Sequence, residues 1–322
     1  MNIGILGAGL MGSQIGVEYA VGGHDVTFVT RSPESARQRV EHAFTLAEGS
    51  GLASSPEVVA ARGRTVVTSE IAAIGGDCAV VVENVVEDLG VKSGVLAEAA
   101  TAAPDAILAT NTSSLSILAI GAACGAPERV VGTHYWNPPL LMPLVEVIRS
   151  ERTRPGIVEK MTATLRALGK RPVPVEKDVP GFVWNRMQMA LLREAVWIVE
   201  HGVASPEAVD EIVRDGLARR WRHTGPFQTA ALGGAETFER VAANLWPEIS
   251  AATELRDLRR WLPTDGRDLA GVRERRDRGL RGDLAADRMA RAGALAAASG
   301  TAAAVAAGTT GPETGAAGGG QP

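Results

Sequence analysis

The sequence predicts an α/β fold in which a mainly parallel sheet is followed by an all-helical second part. Short β-rich runs alternate with helical patterns through the first half of the chain, and this alternation is typical of βαβ units. No β-rich run follows Val175. Residues 182–199 are apolar most of the way round and too long for a strand, as expected for a helix buried in a core or a dimer interface.

Six short apolar runs predict the strands of the first half. They lie at residues 2–6, 25–30, 65–68, 78–82, 106–109 and 129–133. Between them, helical patterns occupy residues 13–20, 33–48 and 91–103. A further helix at about 155–168 ends at Gly169, since glycine is typical of helix C-termini, and residues 172–175 predict an edge strand.

The second half is predicted to be helical from about residue 180. Ser205 is a typical N-cap and Pro206 suits a first helical position, so we expect a helix at 206–215. The 322 residues leave room for about two domains, because one core rarely exceeds about 250–300 residues. We expect these domains at 1–179 and 180–293. Residues 294–322 contain almost nothing that could fill a core and predict a disordered tail.

Composition excludes several classes of protein. A net charge of −4 and a pI near 5.8 argue against nucleic-acid and membrane-surface partners. No run approaches the roughly 18 apolar residues of a membrane span, and no basic leader precedes the first strand. Two cysteines cannot form a disulfide framework or a four-cysteine metal site. We therefore expect a soluble, cytoplasmic protein without a metal site.

A glycine-rich turn follows the first predicted strand. Residues 7–12 read GAGLMG, which fits the pattern GxGxxG between a strand and a helix and is typical of the Rossmann dinucleotide-binding fold. The first glycine permits a tight turn, the second lets the backbone approach a pyrophosphate, and the third allows close helix–strand packing. The predicted pyrophosphate-binding residues are Gly7, Gly9, Leu10, Met11 and Gly12. A glycine-rich turn without a ligand is the alternative interpretation.

The second predicted strand ends at Thr30-Arg31-Ser32, where NAD-selective folds usually place an acidic residue. A carboxylate there would bind the ribose 2′-hydroxyl and repel a 2′-phosphate. The guanidinium of Arg31 and the hydroxyl of Thr30 instead suit a phosphate, so the sequence favours NADP while NAD stays open. The alternative is that Arg31 is a surface arginine or stacks on adenine.

A histidine and a glutamate flank a predicted chain reversal. Residues 129–148 read RVVGTHYWNPPLLMPLVEVI, and His134 and Glu146 lie on the two apolar strands on either side of Leu140. A carboxylate beside an imidazole fixes its tautomer, stabilises the imidazolium and raises its pKa. Such a histidine can take the proton of a hydroxyl group as hydride leaves, or return it in reduction. A lone structural histidine is the alternative.

Six motifs, taken together and in order, resemble the 3-hydroxyacyl-CoA dehydrogenase family. They are GAGLMG at 7–12, VVENVVEDLGVK at 81–92, ATNTSSLSI at 109–117, THYWNPP at 133–139, PLVEVI at 143–148 and VPGFVWNR at 179–186. The resemblance covers residues 1 to about 290. It implies a Rossmann domain, a helical dimerisation domain, and His134 and Glu146 as a catalytic pair.

The resemblance also implies roles for five polar residues. It places Ser113 and Asn185 on the substrate hydroxyl, Asn137 near the nicotinamide and the substrate, and Glu87 and Lys92 at the nicotinamide ribose. The hydroxyl of Ser113 and the amide of Asn185 could stabilise alkoxide-like charge during hydride transfer. The alternatives are a turn or cap for Ser113 and Asn137, and a buried hydrogen bond between domains for Asn185.

Departures from the family pattern bear on the substrate. Residues 33–51 lack the lysines that can meet CoA phosphates. Residues 216–229, GLARRWRHTGPFQT, look closer to the L-gulonate 3-dehydrogenase and λ-crystallin branch, which handles small 3-hydroxy acids. There Arg220 could clamp a carboxylate, although a surface role is equally compatible.

We therefore expect an NAD(P)-dependent dehydrogenase that interconverts a 3-hydroxyacyl thioester and its 3-keto form, acting as a homodimer through its helical domain. A small free 3-hydroxy acid is the alternative substrate. A non-catalytic nucleotide-binding or structural protein is the alternative from another class.

Overall fold

The computed structural model describes residues 1–255, 258–262 and 266–307. Within these residues eight strands form one sheet in the order β3-β2-β1-β4-β5-β6-β7-β8. Their bounds are Asn2–Leu6, Asp25–Val29, Thr65–Thr68, Cys78–Glu83, Ile107–Thr110, Val130–Tyr135, Leu144–Ile148 and Arg171–Val175, for β1 to β8 respectively. Every neighbouring pair is parallel except β6 and β7. The predicted α/β class is confirmed.

Six α-helices accompany the sheet in this first half. They are α1 Leu10–Val21, α2 Pro33–Gly49, α3 Ser55–Arg62, α4 Leu89–Ala102, α5 Ile117–Ala123 and α6 Ile157–Ala167. Helix α1 begins at Leu10 and not at the expected residue 13, so the second half of the glycine turn is already helical. The expected edge strand at 172–175 is β8, at one end of the sheet.

The described second part is helical. Its helices are α7 Trp184–Glu200, α8 Pro206–Glu211, α9 Ala218–Trp221, α10 Pro226–Gly233, α11 Ala235–Leu245 and α12 Gly266–Ala307. A π-helical turn, Ile212–Leu217, joins α8 to α9 where one helix was expected at 206–215.

Both faces of the sheet are covered, and the strands alternate between the two cores. Ile3 and Ile5 of β1 belong to the core with Phe44 of α2, whereas Leu6 belongs to the opposite core with Leu96 of α4. Strands buried on both faces are typical of parallel sheets flanked by helices. Because β1 is buried on both faces inside the sheet, the glycine turn that follows it lies at the carboxyl ends of the central strands.

The helical half, by contrast, leaves much apolar surface uncovered. No residue of α7 is fully buried, and large side chains such as Phe227, Leu232 and Trp246 are 90%, 80% and 72% exposed. Of the two environments expected for residues 182–199, a core or a dimer interface, α7 therefore does not occupy the first within its own chain, although Phe182 just before it is buried. Exposed apolar surface of this extent usually marks an interaction face.

The last helix extends into the expected tail. The backbone of α12 is helical through residues 294–307, where the composition predicts disorder, and alanine, which is abundant there, has high helix propensity. Earlier in α12, Asp287 pairs with Arg171 at 3.2 Å and Arg288 donates to the carbonyls of Gly51 and Leu52. Residues 308–322 lie outside the described residues. No helix of the described chain is long and apolar enough to cross a membrane.

We expect Gly16→Ala to destabilise the fold, because the added Cβ would lie 2.2 Å from the ring of Phe28. Overpacking of this kind costs about 1–3 kcal/mol of unfolding free energy. Gly94→Ala is the matched control on α4, since nothing lies within 4 Å of its added Cβ, and it should stabilise by about 0.5–1 kcal/mol. Urea unfolding measures both, and equal stability of the two variants would contradict this packing.

Candidate active site

The carboxyl ends of the central strands border a cleft of about 540 Å³, closed on its other side by the start of α7. It lies where the strand order reverses between β1 and β4, the position at which open α/β sheets bind ligands. Six residues singled out from the sequence line it together: Met11, Glu87, Ser113, His134, Asn137 and Asn185.

His134 and Glu146 face each other across the antiparallel strands β6 and β7, where they are direct partners in the register. His134 Nδ1 lies 2.8 Å from Glu146 Oε2, and both side chains are almost fully buried. The structure thus brings this pair together at directly opposed positions of β6 and β7. With Nδ1 held by the carboxylate, Nε2 is the nitrogen left for a substrate proton.

The second oxygen of Glu146 holds the start of α7. Glu146 Oε1 accepts hydrogen bonds from the backbone N–H groups of Val183 and Trp184, both at 3.0 Å. Burial raises the pKa of Glu146, but the hydrogen bonds from His134 and from these two amides outweigh it and lower the pKa below its ordinary value. The carboxylate therefore stays ionised beside the imidazole.

A tight turn before α7 makes this contact possible. Gly181 and Phe182 both have left-handed backbone conformations, with φ of +76° and +49°. Such a φ is uncommon for a residue other than glycine. The turn places the buried Phe182 ring edge-on to His134, with ring centroids 5.6 Å apart, and aims the next two N–H groups at Glu146.

Ser113 and Asn185 meet across the cleft. Asn185 Nδ2 on α7 donates to the backbone carbonyl of Ser113 at 2.9 Å. A buried hydrogen bond between domains was the alternative weighed for Asn185 from the sequence; the observed bond joins the two halves but is exposed, and it leaves the amide oxygen available. Within the described residues the hydroxyl of Ser113 has no protein partner, so it is free to bind a substrate oxygen.

Glu87 organises the loop that carries Ser113. Its Oε1 accepts hydrogen bonds from the hydroxyl of Thr112 and from the N–H groups of Ser113 and Ser114, at 2.7, 2.8 and 2.9 Å. Partial burial raises the pKa of Glu87, but these bonds and the nearby Lys92 ammonium lower it to about 2.

Lys92 does not line the cleft, unlike the expectation for a residue at the nicotinamide ribose. Its side chain is 1% exposed, and Nζ lies 2.9 Å from Glu83 and 3.3 Å from Glu87. The ammonium is enclosed because Glu83, which is fully buried on β4, needs a charged partner. Any effect of Lys92 on a bound ligand therefore passes through Glu87 or through Val85, a cleft-lining residue whose carbonyl also accepts a hydrogen bond from Lys92 at 3.2 Å.

The glycine turn has the shape that a pyrophosphate needs. Gly7 has a φ of +89°, and a Cβ on Gly12 would lie 1.9 Å from the carbonyl oxygen of Gly7. A Cβ on Gly9 would meet open space, so the backbone is accessible there. Helix α1 has no acidic residue in its first turn and no side-chain cap, so its N–H groups are free for an anion. A dinucleotide fits this turn, with the exposed Leu10 at its rim.

Thr30 and Arg31 lie at the end of β2, next to the glycine turn at the end of β1. Arg31 is exposed and has no partner among the described residues. A second guanidinium, missed from the sequence, lies nearby: Arg39 of α2 donates to the carbonyl of Ala8 at 2.7 Å. The region around the end of β2 and the glycine turn therefore carries positive charge.

Arg220 is not brought to the cleft within one chain. It is exposed on α9, and the cleft lining contains neither arginine nor lysine among the described residues. The expected carboxylate clamp is therefore absent from the single chain, because the short helix that carries Arg220 packs outside the region that α7 closes.

Two tryptophans form a wall of the cleft that sequence reasoning missed. Trp136, just after β6, and Trp184, at the start of α7, stack with ring centroids 3.7 Å apart and planes inclined by 24°. Both lie in quoted motifs, next to Asn137 and Asn185. The signal was a bulky aromatic beside each predicted polar residue, but only the fold shows that the two rings meet.

Comparisons with known proteins agree with this geometry. The family model described as 3-hydroxyacyl-CoA dehydrogenase, NAD binding domain, matches residues 2–179, and the model of the C-terminal domain of the same family matches residues 181–262. Together they span the sheet, the cleft and most of the helical half.

Among curated relatives, 5-formyl-3-hydroxy-2-methylpyridine 4-carboxylate 5-dehydrogenase of Mesorhizobium japonicum is 36% identical over 77% of this chain and 81% of its own. A probable 3-hydroxybutyryl-CoA dehydrogenase of Deinococcus radiodurans is 37% identical over 74% of this chain and 84% of its own. L-carnitine dehydrogenase of Streptomyces griseus is 31% identical over 87% of this chain and 88% of its own.

A solved structure described as 5-formyl-3-hydroxy-2-methylpyridine 4-carboxylic acid 5-dehydrogenase, an NAD⁺-dependent dismutase, is similar to most of this chain. It superimposes with a TM-score of 0.79 at 30% identity and covers 88% of this chain and 97% of its own.

The low pKa of Glu87 predicts how stability depends on pH. Because folding lowers this pKa from 4.5 to about 2, the carboxylate's contribution is complete above pH 4.5 and is lost as the pH falls toward 2. Glu87→Gln should therefore be less stable than wild type near neutral pH, and the difference should shrink through this window. Urea unfolding at a series of pH values measures it, and a difference that stays constant would contradict the assignment.

Proposed function

Because the chain belongs to the 3-hydroxyacyl-CoA dehydrogenase family and is an NAD-dependent dehydrogenase of CH–OH groups, we propose that it interconverts a 3-hydroxyacyl thioester and its 3-keto form. The observation that carries this proposal is the buried His134–Glu146 pair, of which His134 borders the same cleft as Met11 of the glycine turn.

His134 is the proposed general acid and base. In oxidation, its Nε2 takes the proton of the substrate hydroxyl while hydride leaves the carbinol carbon, and a carbonyl forms. When bound, NAD supplies the nicotinamide carbon that accepts this hydride. Glu146 then stabilises the imidazolium through the 2.8 Å contact with Nδ1. In reduction the same proton returns to the oxygen.

Ser113 and Asn185 are proposed to hold the reacting oxygen. The hydroxyl of Ser113 can donate to that oxygen as negative charge develops on it. Asn185 keeps the Ser113 loop in place through its 2.9 Å hydrogen bond, and Glu87 holds the same loop from the other side. Asn137 lines the cleft between His134 and the glycine turn, where it can contact both substrate and nicotinamide.

The surroundings of the cleft favour a thioester over a free acid. A thioester carbonyl is neutral, and the described cleft lining offers no cation to a carboxylate. An adjoining groove of about 870 Å³ shares Asn185 with the cleft, and Arg186 and Arg193 line it together with Glu200 and Glu254. Its two guanidinium groups, and not its net charge, can meet the phosphates of a thioester carrier.

A small free 3-hydroxy acid is the second candidate substrate. It is favoured by the names of relatives such as L-carnitine dehydrogenase, and Arg220 would need to reach the cleft from another chain. A non-catalytic nucleotide-binding protein is disfavoured, because such a role needs neither the buried dyad nor the free hydroxyl of Ser113.

For the cofactor, the family supports NAD. We propose that the site also accepts NADP, because Arg31 is exposed at the end of β2 without a partner and can bind a 2′-phosphate. The exposed apolar side chains of the helical half support a homodimer formed through this half, and the two free, buried cysteines suit a reducing cytoplasm.

We expect His134→Gln to lower turnover on the order of 10²–10⁴-fold, because the proton acceptor is lost. The dissociation constant for NADH should change little, since the glycine turn is untouched. His201→Gln is the matched control, because His201 stacks on Trp197 at the end of α7, outside the cleft. Near-wild-type turnover in His134→Gln would remove this mechanism.

Steady-state assays with 3-hydroxybutyryl-CoA and L-gulonate, each with NAD and NADP, test the substrate and cofactor proposals. We expect the thioester to have the higher kcat/KM, and Arg31→Ala to lower kcat/KM with NADP by on the order of 10-fold while NAD is spared. Preference for L-gulonate would establish the second candidate. Cofactor binding without turnover of any 3-hydroxy or 3-keto compound would favour the non-catalytic alternative.

A further inference from the structure

Lys170 is a buried lysine that the proposed chemistry does not use. It lies just before β8 and is 6% exposed, although lysine is rarely buried in proteins without a partner. Its Nζ lies 2.5 Å from Glu18 Oε1 and donates to the carbonyl oxygens of Pro139 and Met142, at 2.6 and 2.9 Å. The ammonium thus makes contact with two separate parts of the first half.

The first of these parts is the loop of residues 136–143 between β6 and β7, here called the cleft loop. It brings Trp136, Asn137 and Met142 into the cleft lining. Both carbonyls bound by Lys170 belong to the turn of this loop, which the N–H of Met142 closes by donating to the carbonyl of Pro138. Lys170 therefore holds the backbone that sets where these three side chains lie.

The second part is helix α1, whose start forms the glycine turn. Glu18 lies on α1, and Gln14, one turn earlier on the same helix, accepts a hydrogen bond from the N–H of Leu140 in the cleft loop at 3.4 Å. Two contacts therefore fasten the cleft loop to the helix that carries the dinucleotide site, and Lys170 supplies the charged one.

We propose that Lys170 is a positioning residue, which fixes the cleft loop against α1 and so sets the substrate-binding wall at its working distance from His134. The proposal rests on the proposed function of the cleft. His134 and Glu146 lie outside the cleft loop, paired within the sheet. Lys170 therefore acts on substrate binding and not on the proton transfer.

The test is Lys170→Met in the full chain. We expect KM for the hydroxy substrate to rise on the order of 10-fold, because the wall that binds the substrate is no longer held in place and binding common to the ground and transition states is lost. The kcat at saturation and its pH dependence should be preserved, since the dyad is intact. The dissociation constant for NADH should change less than KM, since the glycine turn is untouched and Asn137 is the one residue of the cleft loop proposed to reach the nicotinamide. A fall in kcat at constant KM would overturn the proposal.

Met161→Ala is the control for destabilisation alone. Met161 is fully buried on α6, in the same core as Leu140 of the cleft loop, but among the described residues its side chain makes no hydrogen bond or ion pair with that loop. Its truncation costs about 2–5 kcal/mol of stability. It should lower the melting temperature without changing KM. If the unpaired Glu18 prevents Lys170→Met from folding, the double variant Glu18→Gln/Lys170→Met removes that charge. The double variant then takes the place of Lys170→Met in every assay.

Hydrogen exchange gives a readout that needs no turnover. Amides of the cleft loop should exchange on the order of 10-fold faster in the Lys170 variant than in Met161→Ala, because local opening becomes easier there. Unchanged exchange would overturn the anchoring, and faster exchange with unchanged KM would overturn the positioning role. If the wild type turns over no 3-hydroxy compound, the proposed function fails while the exchange result still decides the anchoring.

Discussion

Glu146 receives hydrogen bonds on both carboxylate oxygens, and they come from the two halves of the molecule. His134 lies on one side and the first N–H groups of α7 on the other. A buried carboxylate is costly unless its oxygens are satisfied, so this one group requires both the sheet and the helical half to be in place. The placement of Trp184 and Asn185 at the cleft follows from the same contact, because both begin α7.

A second cluster of buried charged residues supports the loop that carries Ser113 into the cleft. Glu83, fully buried on β4, is balanced by Lys92, whose ammonium also lies against Glu87. Glu87 in turn holds the N–H groups of the loop around Ser113. Charges in such an interior are stable only as a complete set, which gives the loop a single arrangement.

Local patterns in the sequence predicted the sheet, the glycine turn and the hairpin, because each depends on neighbouring residues. They did not predict that Lys92 is enclosed, since its partner Glu83 reaches it only through the packing of α4 on the sheet. The stacking of Trp136 on Trp184 likewise depends on how α7 docks. Composition also missed the helix at residues 294–307, because it counts core-forming residues and overlooks backbone propensity.

The antiparallel pairing of β6 with β7 separates two properties of an enzyme, its acid–base chemistry and its substrate binding. His134 and Glu146 are 12 residues apart in sequence and are aligned by one rung between β6 and β7, whatever lies in the connection between them. Insertions or deletions in that connection would change which substrates the cleft binds without displacing His134 from Glu146. Proteins that share this fold can therefore differ in the substrate they bind while they keep the same acid–base pair.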